Sequence, residues 1–215
     1  AGAKPVPEEE TLRNKVEEVL DLNERRYLDS SKHAAWQIMH EILGYGHRAK
    51  IYDNGELVDA IPWLLNGGHL EGFTLIPKEH GLDTLMEPGT KTGQGHEDQG
   101  LAVLSQCSLR PETTIVWGGE PYKMIDLVTQ AQWDVHQGME CSWTLIGLTA
   151  YLPLDAEWTA RDGETWSIER IMAMEAAEDI NASACGGTHR LIGMTMVLNH
   201  YLADGRQLTG GWQAA

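Results

Sequence analysis

Apolar positions along the chain fall into a frame that recurs four times. Glu140 to Leu152 is the plainest copy, an almost continuous apolar run of helix-forming length. Aligned on Trp36, Gln99, Trp143 and His189, the positions two, three and five residues further on hold Ile38, Met39 and Glu41; Leu101, Ala102 and Leu104; Leu145, Ile146 and Leu148; and Leu191, Ile192 and Met194. Glu41 alone breaks the apolar rule. Each copy predicts a buried inner helix. A second landmark, Gly-Glu, stands at 55–56, 119–120 and 163–164, 19 or 20 residues after the first three anchors. Four, seven and eight residues past each Glu lie Ala60, Trp63 and Leu64; Met124, Leu127 and Val128; and Ile168, Ile171 and Met172. That spacing places three side chains on one helical face and predicts an outer helix after every Gly-Glu. Val16, Val19 and Leu20 repeat the trio near the N-terminus. Two landmarks at a constant offset indicate an internal repeat.

The predicted organisation is therefore a mobile leader over 1–10, with two prolines, followed by one repeat domain over 11–215. Its units span about 11–54, 55–118, 119–162 and 163–210. The joints read as small hairpins: β-prone residues flank Asn54-Gly55, Gly118-Gly119 and Asp162-Gly163, strong turn signals. Asp204 to Trp212 reads as a fourth. The second unit is longer than the rest because of Gly67 to Gly95, an insertion with a short apolar stretch at Phe73 to Ile76. Long insertions in a regular repeat are often functional, and this one leads into Gly-His-Glu-Asp-Gln at 95–99.

Composition changes this picture little. A net charge of −16 over 215 residues disfavours nucleic acid and anionic membrane as partners. No apolar run reaches the length of a membrane span. Three cysteines, Cys107, Cys141 and Cys185, form no CxxC pair. The start at Ala-Gly-Ala-Lys suits either an exported protein after signal cleavage or a recloned boundary, so the expected location is periplasmic or extracellular.

Outer and inner helices in alternation, with Gly-Gly-Thr-His-Arg-Leu-Ile-Gly at 186–193, Gly-His-Glu-Asp-Gln at 95–99 and Leu-Thr-Gly-Gly-Trp at 208–212, resemble the α/α toroids of the terpenoid cyclase and protein prenyltransferase superfamily. The likeness is to the secreted bacterial prenyltransferase or squalene-cyclase-like type. Gln207 to Trp212 also fits the Gln-x-x-Gly-x-Trp core of the cyclase repeat. The resemblance implies an all-α fold of about four helical pairs forming part of a toroid, with a central cavity ringed by inner-helix N-termini. An Asp-x-Asp-Asp acid motif is missing, and one Phe and six Tyr make a thin aromatic lining, so the architecture is carried over and the cyclase chemistry is not. Four pairs are too few to close a five- or six-pair ring. A further C-terminal stretch, a partner subunit or self-association is expected to cover the open faces.

The repeat frame says which residues share a level at the cavity. Three places before the anchors stand His33, His96, Glu140 and Gly186; one place before stand Ala35, Asp98, Ser142 and Thr188. His33, His96 and Glu140 form a zinc-type ligand set of two imidazoles and a carboxylate, and Cys185 with His189 offers a second pair. Acid–base chemistry would use His96, Asp98, Glu140 and His189, with burial raising a carboxylate into a useful range. The plain alternative is that these residues cap helices. A Cys/His nucleophile and a Cys141–Cys185 disulfide are also open. Trp117 and Trp158 lie on hairpins, where exposure would suit stacking on a saccharide or a partner protein. The expected function is a ligand-binding or enzymatic domain for a small molecule or saccharide. The competing class is a non-catalytic interaction or scaffold subunit.

Overall fold

The computed structural model describes residues 8–86 and 96–215. Most of the expected leader and the end of the insertion lie outside the described residues. In chain order the elements are α1 (Glu8–Glu24), β1 (Leu28–Asp29), α2 (Ala35–Tyr45), β2 (Lys50–Asp53), β3 (Glu56–Asp59), α3 (Ala60–Leu65), β4 (Phe73–Lys78), β5 (Gly81–Met86) and α4 (Gln99–Ser105). There follow β6 (Thr114–Trp117), β7 (Glu120–Lys123), α5 (Met124–Asp134), α6 (Ser142–Thr149), β8 (Glu157–Thr159), β9 (Thr165–Ser167), α7 (Ile168–Ala177), α8 (Thr188–Ala203) and α9 (Gly210–Ala214).

Half of the described residues are helical and 18% lie in strands of four small sheets, so the all-α expectation is corrected to a mixed α/β class. The reason is physical. The hairpins do not merely join helices; Ile51, Ile115 and Trp166 on their strands are fully buried members of the core. Asn54 and Gly55 both take positive φ, as do Gly118 and Gly119, the turn geometry that closes β2–β3 and β6–β7. The insertion supplies a further hairpin, β4–β5, paired from Phe73↔Met86 to Lys78↔Gly81. Phe73, Leu75, Leu82 and Met86 turn inward, where β5 packs on α4 and α5. The expected fourth joint hairpin does not form: Asp204 to Thr209 holds no strand and runs into α9, where Trp212 is buried and stacks on Tyr201 at 4.0 Å.

The predicted frame does locate the helix starts. α3, α5 and α7 begin on the first stripe residue, and α2, α4, α6 and α8 begin at the anchor or one residue before it. Neighbouring inner helices pack in the order α2, α4, α6, α8. The Leu-Ile-Gly tripeptide of α6 and α8 has a direct role here. A Cβ on Gly147 would stand 2.6 Å from Leu101 Cγ, and one on Gly193 would stand 2.3 Å from the Ser142 carbonyl oxygen. Both glycines are sites of close helix approach.

Two expected faces are not buried. The stripe of α1 stands exposed, with Val16 at 49% and Val19 at 55%, and α8 exposes Leu191 at 54% and Ile192 at 47%. α6 has neighbours on both sides and is buried from Ser142 to Leu148, whereas α8 buries Arg190, Gly193, Val197 and Tyr201 on the side facing α6. Trp117 and Trp158 are only half exposed and pack against the core, with Trp158 Nε1 donating to the Gln132 carbonyl. They are not open stacking platforms.

Candidate metal centre

Three chain segments meet at the N-terminal ends of α4, α6 and α8. His96 and Asp98 lie just ahead of α4, and Asp98 adopts a left-handed backbone (φ 56°) at the helix boundary. Its side chain makes no cap; it turns inward, where Asp98 Oδ2 accepts the Thr144 hydroxyl at 2.6 Å. Glu140 lies just ahead of α6. Cys185 occupies the 3₁₀ turn Ala184–Gly187 that leads into α8, with His189 in the first turn of that helix. Cys185, Gly186 and Gly187 take φ of 53°, 64° and 76° in succession. Left-handed backbone is costly for a residue with a Cβ and concentrates at functional sites. Two of the four such non-glycine residues among those described, Asp98 and Cys185, flank this place.

His96 is the hub. Its Nδ1 lies 2.9 Å from Glu140 Oε2, its Nε2 lies 3.2 Å from His189 Nδ1, and the same Nε2 lies 3.6 Å from Cys185 Sγ. The two imidazoles meet edge to face, and Trp143 packs beside His189 with ring centroids 4.9 Å apart. His96 is buried, His189 half-buried and Cys185 exposed, so the cluster opens to solvent on the Cys185 side. One ligand atom from each of His96, Cys185 and His189 lies within 4.8 Å of the other two.

The electrostatics favour metal-competent protonation. Burial pushes the Glu140 carboxyl up, but hydrogen bonds from His96 and Ser142 outweigh it and hold the group below its ordinary value. Glu140 engages the Nδ1 side of His96 and leaves Nε2 facing Cys185 and His189. Burial first, then the neighbouring His96, lowers the pKa of His189. Asp98 is driven by burial up to about 7, against the lowering effect of the Thr144 hydrogen bond.

Behind the cluster, α7 sends Glu175 into the core. Glu175 Oε1 accepts the Cys141 backbone N–H at 2.7 Å, and Oε2 accepts Arg190 Nε at 2.7 Å and the Ser142 hydroxyl at 3.5 Å. Arg190 also donates to the Ser183 hydroxyl.

Of the residues named from the sequence, His96, Glu140 and His189 come together, with Cys185 completing the group. Asp98 is close in the chain but bonds to Thr144 instead. His33 is not in the cluster: its Nδ1 accepts the Asp29 backbone N–H at 2.9 Å, a loop-closing role. The structure groups His96 with His189 and Cys185 and not with His33, and Glu140 bonds to the far nitrogen of His96. Cys141 is a buried thiol whose pKa burial raises well above the ordinary value, and it is not half of a disulfide. Glu175 was missed, yet it had a signal. It continues the stripe of Ile168, Ile171 and Met172 by one step, a carboxylate where the pattern calls for an apolar side chain.

Comparison with protein-family models, with curated proteins and with solved structures finds no match to this chain. With four sheets in the core and no family support, the likeness to terpenoid cyclases and protein prenyltransferases is withdrawn.

Proposed function

We propose that this chain binds a thiophilic divalent ion, best zinc, through His96 Nε2, His189 Nδ1 and Cys185 Sγ, and uses it to bind or activate a small-molecule ligand. One observation carries the reading. Tetrahedral zinc with bonds of about 2.0–2.1 Å to nitrogen and about 2.3 Å to sulfur sets its ligand atoms about 3.3 Å (N···N) and about 3.6 Å (N···S) apart. The corresponding separations at His96 are 3.2 Å and 3.6 Å, and His189 and Cys185, within 4.8 Å of each other, would draw together on a bound ion. Glu140 on the far nitrogen of His96 is the carboxylate–histidine arrangement that orients a metal-bound imidazole. Three protein ligands leave a fourth position for water or substrate, the pattern of zinc sites that act as Lewis acids. A closed structural site would carry four, and three are present among the described residues.

The same distances admit a second reading. Cys185 would be a nucleophile, His96 its base and Glu140 the group that orients the base. His189 separates the two, because a thiol triad has no use for a second imidazole nitrogen at 3.2 Å from the base.

Elemental analysis and titration with zinc should give one ion per chain. The cobalt-loaded protein should show a thiolate-to-metal charge-transfer band that Cys185→Ser removes. His189→Ala should abolish stoichiometric binding, and Glu140→Gln should weaken it about 10–100-fold. A protein that binds no ion, while Cys185 alkylates rapidly whether or not His189 is present, would establish the thiol reading instead.

A further inference from the structure

We infer that the buried Glu175–Arg190 pair is the positioning element of this centre, holding the Cys185–His189 segment at ligand distance from His96. The inference rests on the metal reading for its function and on geometry for its placement. The Glu175 side chain is 0% exposed and that of Arg190 9%. Burying two charges is expensive, and well-packed apolar side chains in their place are often as stable or more so, so stability alone does not explain the pair. Its hydrogen bonds have a common destination. Cys141 follows Glu140, Ser183 lies two residues before Cys185, and Arg190 follows His189. The segments that carry Glu140, Cys185 and His189 are therefore each tied to the pair, the first through both Cys141 and Ser142, and α7 itself contributes no residue to the ligand cluster.

The ties are directional. Oε1 of Glu175 fixes the backbone N–H beside Glu140, while Oε2 takes Arg190 and draws in the first turn of α8. Arg190 then reaches the Ser183 hydroxyl at the mouth of the left-handed turn. The left-handed Cys185 at the head of this turn needs such an external hold to persist. Removing the hold should let Cys185 and His189 move away from His96 without unpacking the helices.

The test uses Glu175→Gln combined with Arg190→Met in the full chain. The glutamine oxygen still accepts the Cys141 N–H, no buried charge remains, and the ties to α8 and Ser183 are cut together with the long Ser142 contact at 3.5 Å. Zinc affinity should fall about 10–100-fold, with the unfolding midpoint of the metal-free protein near wild type. A second readout needs no metal. Ring-proton NOEs between His96 and His189, whose centroids are 4.8 Å apart, should be present in metal-free wild type and lost in the double variant. The Tyr201–Trp212 NOEs serve as the folding control. A folded double variant that keeps the His96–His189 NOEs would overturn the inference. Should wild type bind no zinc, the metal reading fails, and the NOEs still decide the positioning role.

Discussion

Asp98 shows how a single carboxyl makes stability depend on pH. Burial raises its pKa to about 7, against about 3.9 in an unfolded chain. The folded state therefore holds a proton that the unfolded state has released. The contribution of Asp98 is intact below about pH 4 and is lost as pH rises through about 7. Asp98→Asn should remove that slope. In metal-free protein, urea denaturation should show the variant gaining on wild type at pH 8 relative to pH 5; an equal difference at the two pH values would show that Asp98 is not the titrating group. At the same scale, His33→Ala should leave zinc stoichiometry and affinity unchanged, since its ring nitrogen is engaged with Asp29. A metal-binding defect in that variant would return His33 to the ligand set.

Among the elements, the meeting of α6 with α4 and of α8 with α6 decides whether the centre assembles. Gly147 and Gly193 occupy the same place in their repeats, yet their substitutions should differ. In Gly147→Ala the new methyl meets a leucine side chain, which can shift at a cost of about 1–3 kcal/mol. In Gly193→Ala it meets a backbone carbonyl at 2.3 Å, and the whole start of α8 must move away from α6. Gly193→Ala should therefore lose zinc binding per folded molecule, whereas Gly147→Ala should lose stability and keep the site. Thermal unfolding beside zinc titration of each variant separates the two effects. The Gly-Glu landmarks fixed the starts of α3, α5 and α7 because a tight turn followed by an apolar stripe is local information. The strand content was underestimated for a complementary reason. Three hairpins read as connectors, and the β4–β5 hairpin read as an apolar stretch in a loop, because burial of Ile51, Ile115 and Trp166 depends on what packs over them.

The whole molecule presents two apolar stripes to solvent, Val16, Val19 and Leu20 on α1 and Leu191, Ile192 and Met196 on α8. Apolar surface grouped in this way is unusual on an isolated domain. It should bind a hydrophobic dye such as ANS. Replacing Leu191 and Ile192 by Asn should reduce that fluorescence with little change in unfolding midpoint, because surface substitutions rarely cost more than about 0.5 kcal/mol. A large fall in midpoint would show that the stripe is part of the core. Among the described residues no helix is long and apolar enough to cross a membrane.

Short-range physics was legible in the chain: three of the hairpin turns, the starts of the helices and the small set of His, Cys and carboxylate residues near the helix N-termini. His96 and Glu140 share one level of the repeat and His189 stands three residues on at the anchor, so one period carries all three to the same end of their helices. Which of them touch was settled by packing between helices distant in the chain. His33 obeys the same period but is drawn to Asp29 by its own loop. Cys185, three residues outside the helical frame of α8, reaches His96 through a left-handed turn that no apolar pattern encodes. The Glu175–Arg190 pair was equally hidden, since pairing across 15 residues is settled by packing, not by periodicity. The mixed α/β class was hidden for the same reason: hydrophobic alternation proposes a strand, and only the neighbours that bury it make it part of the fold.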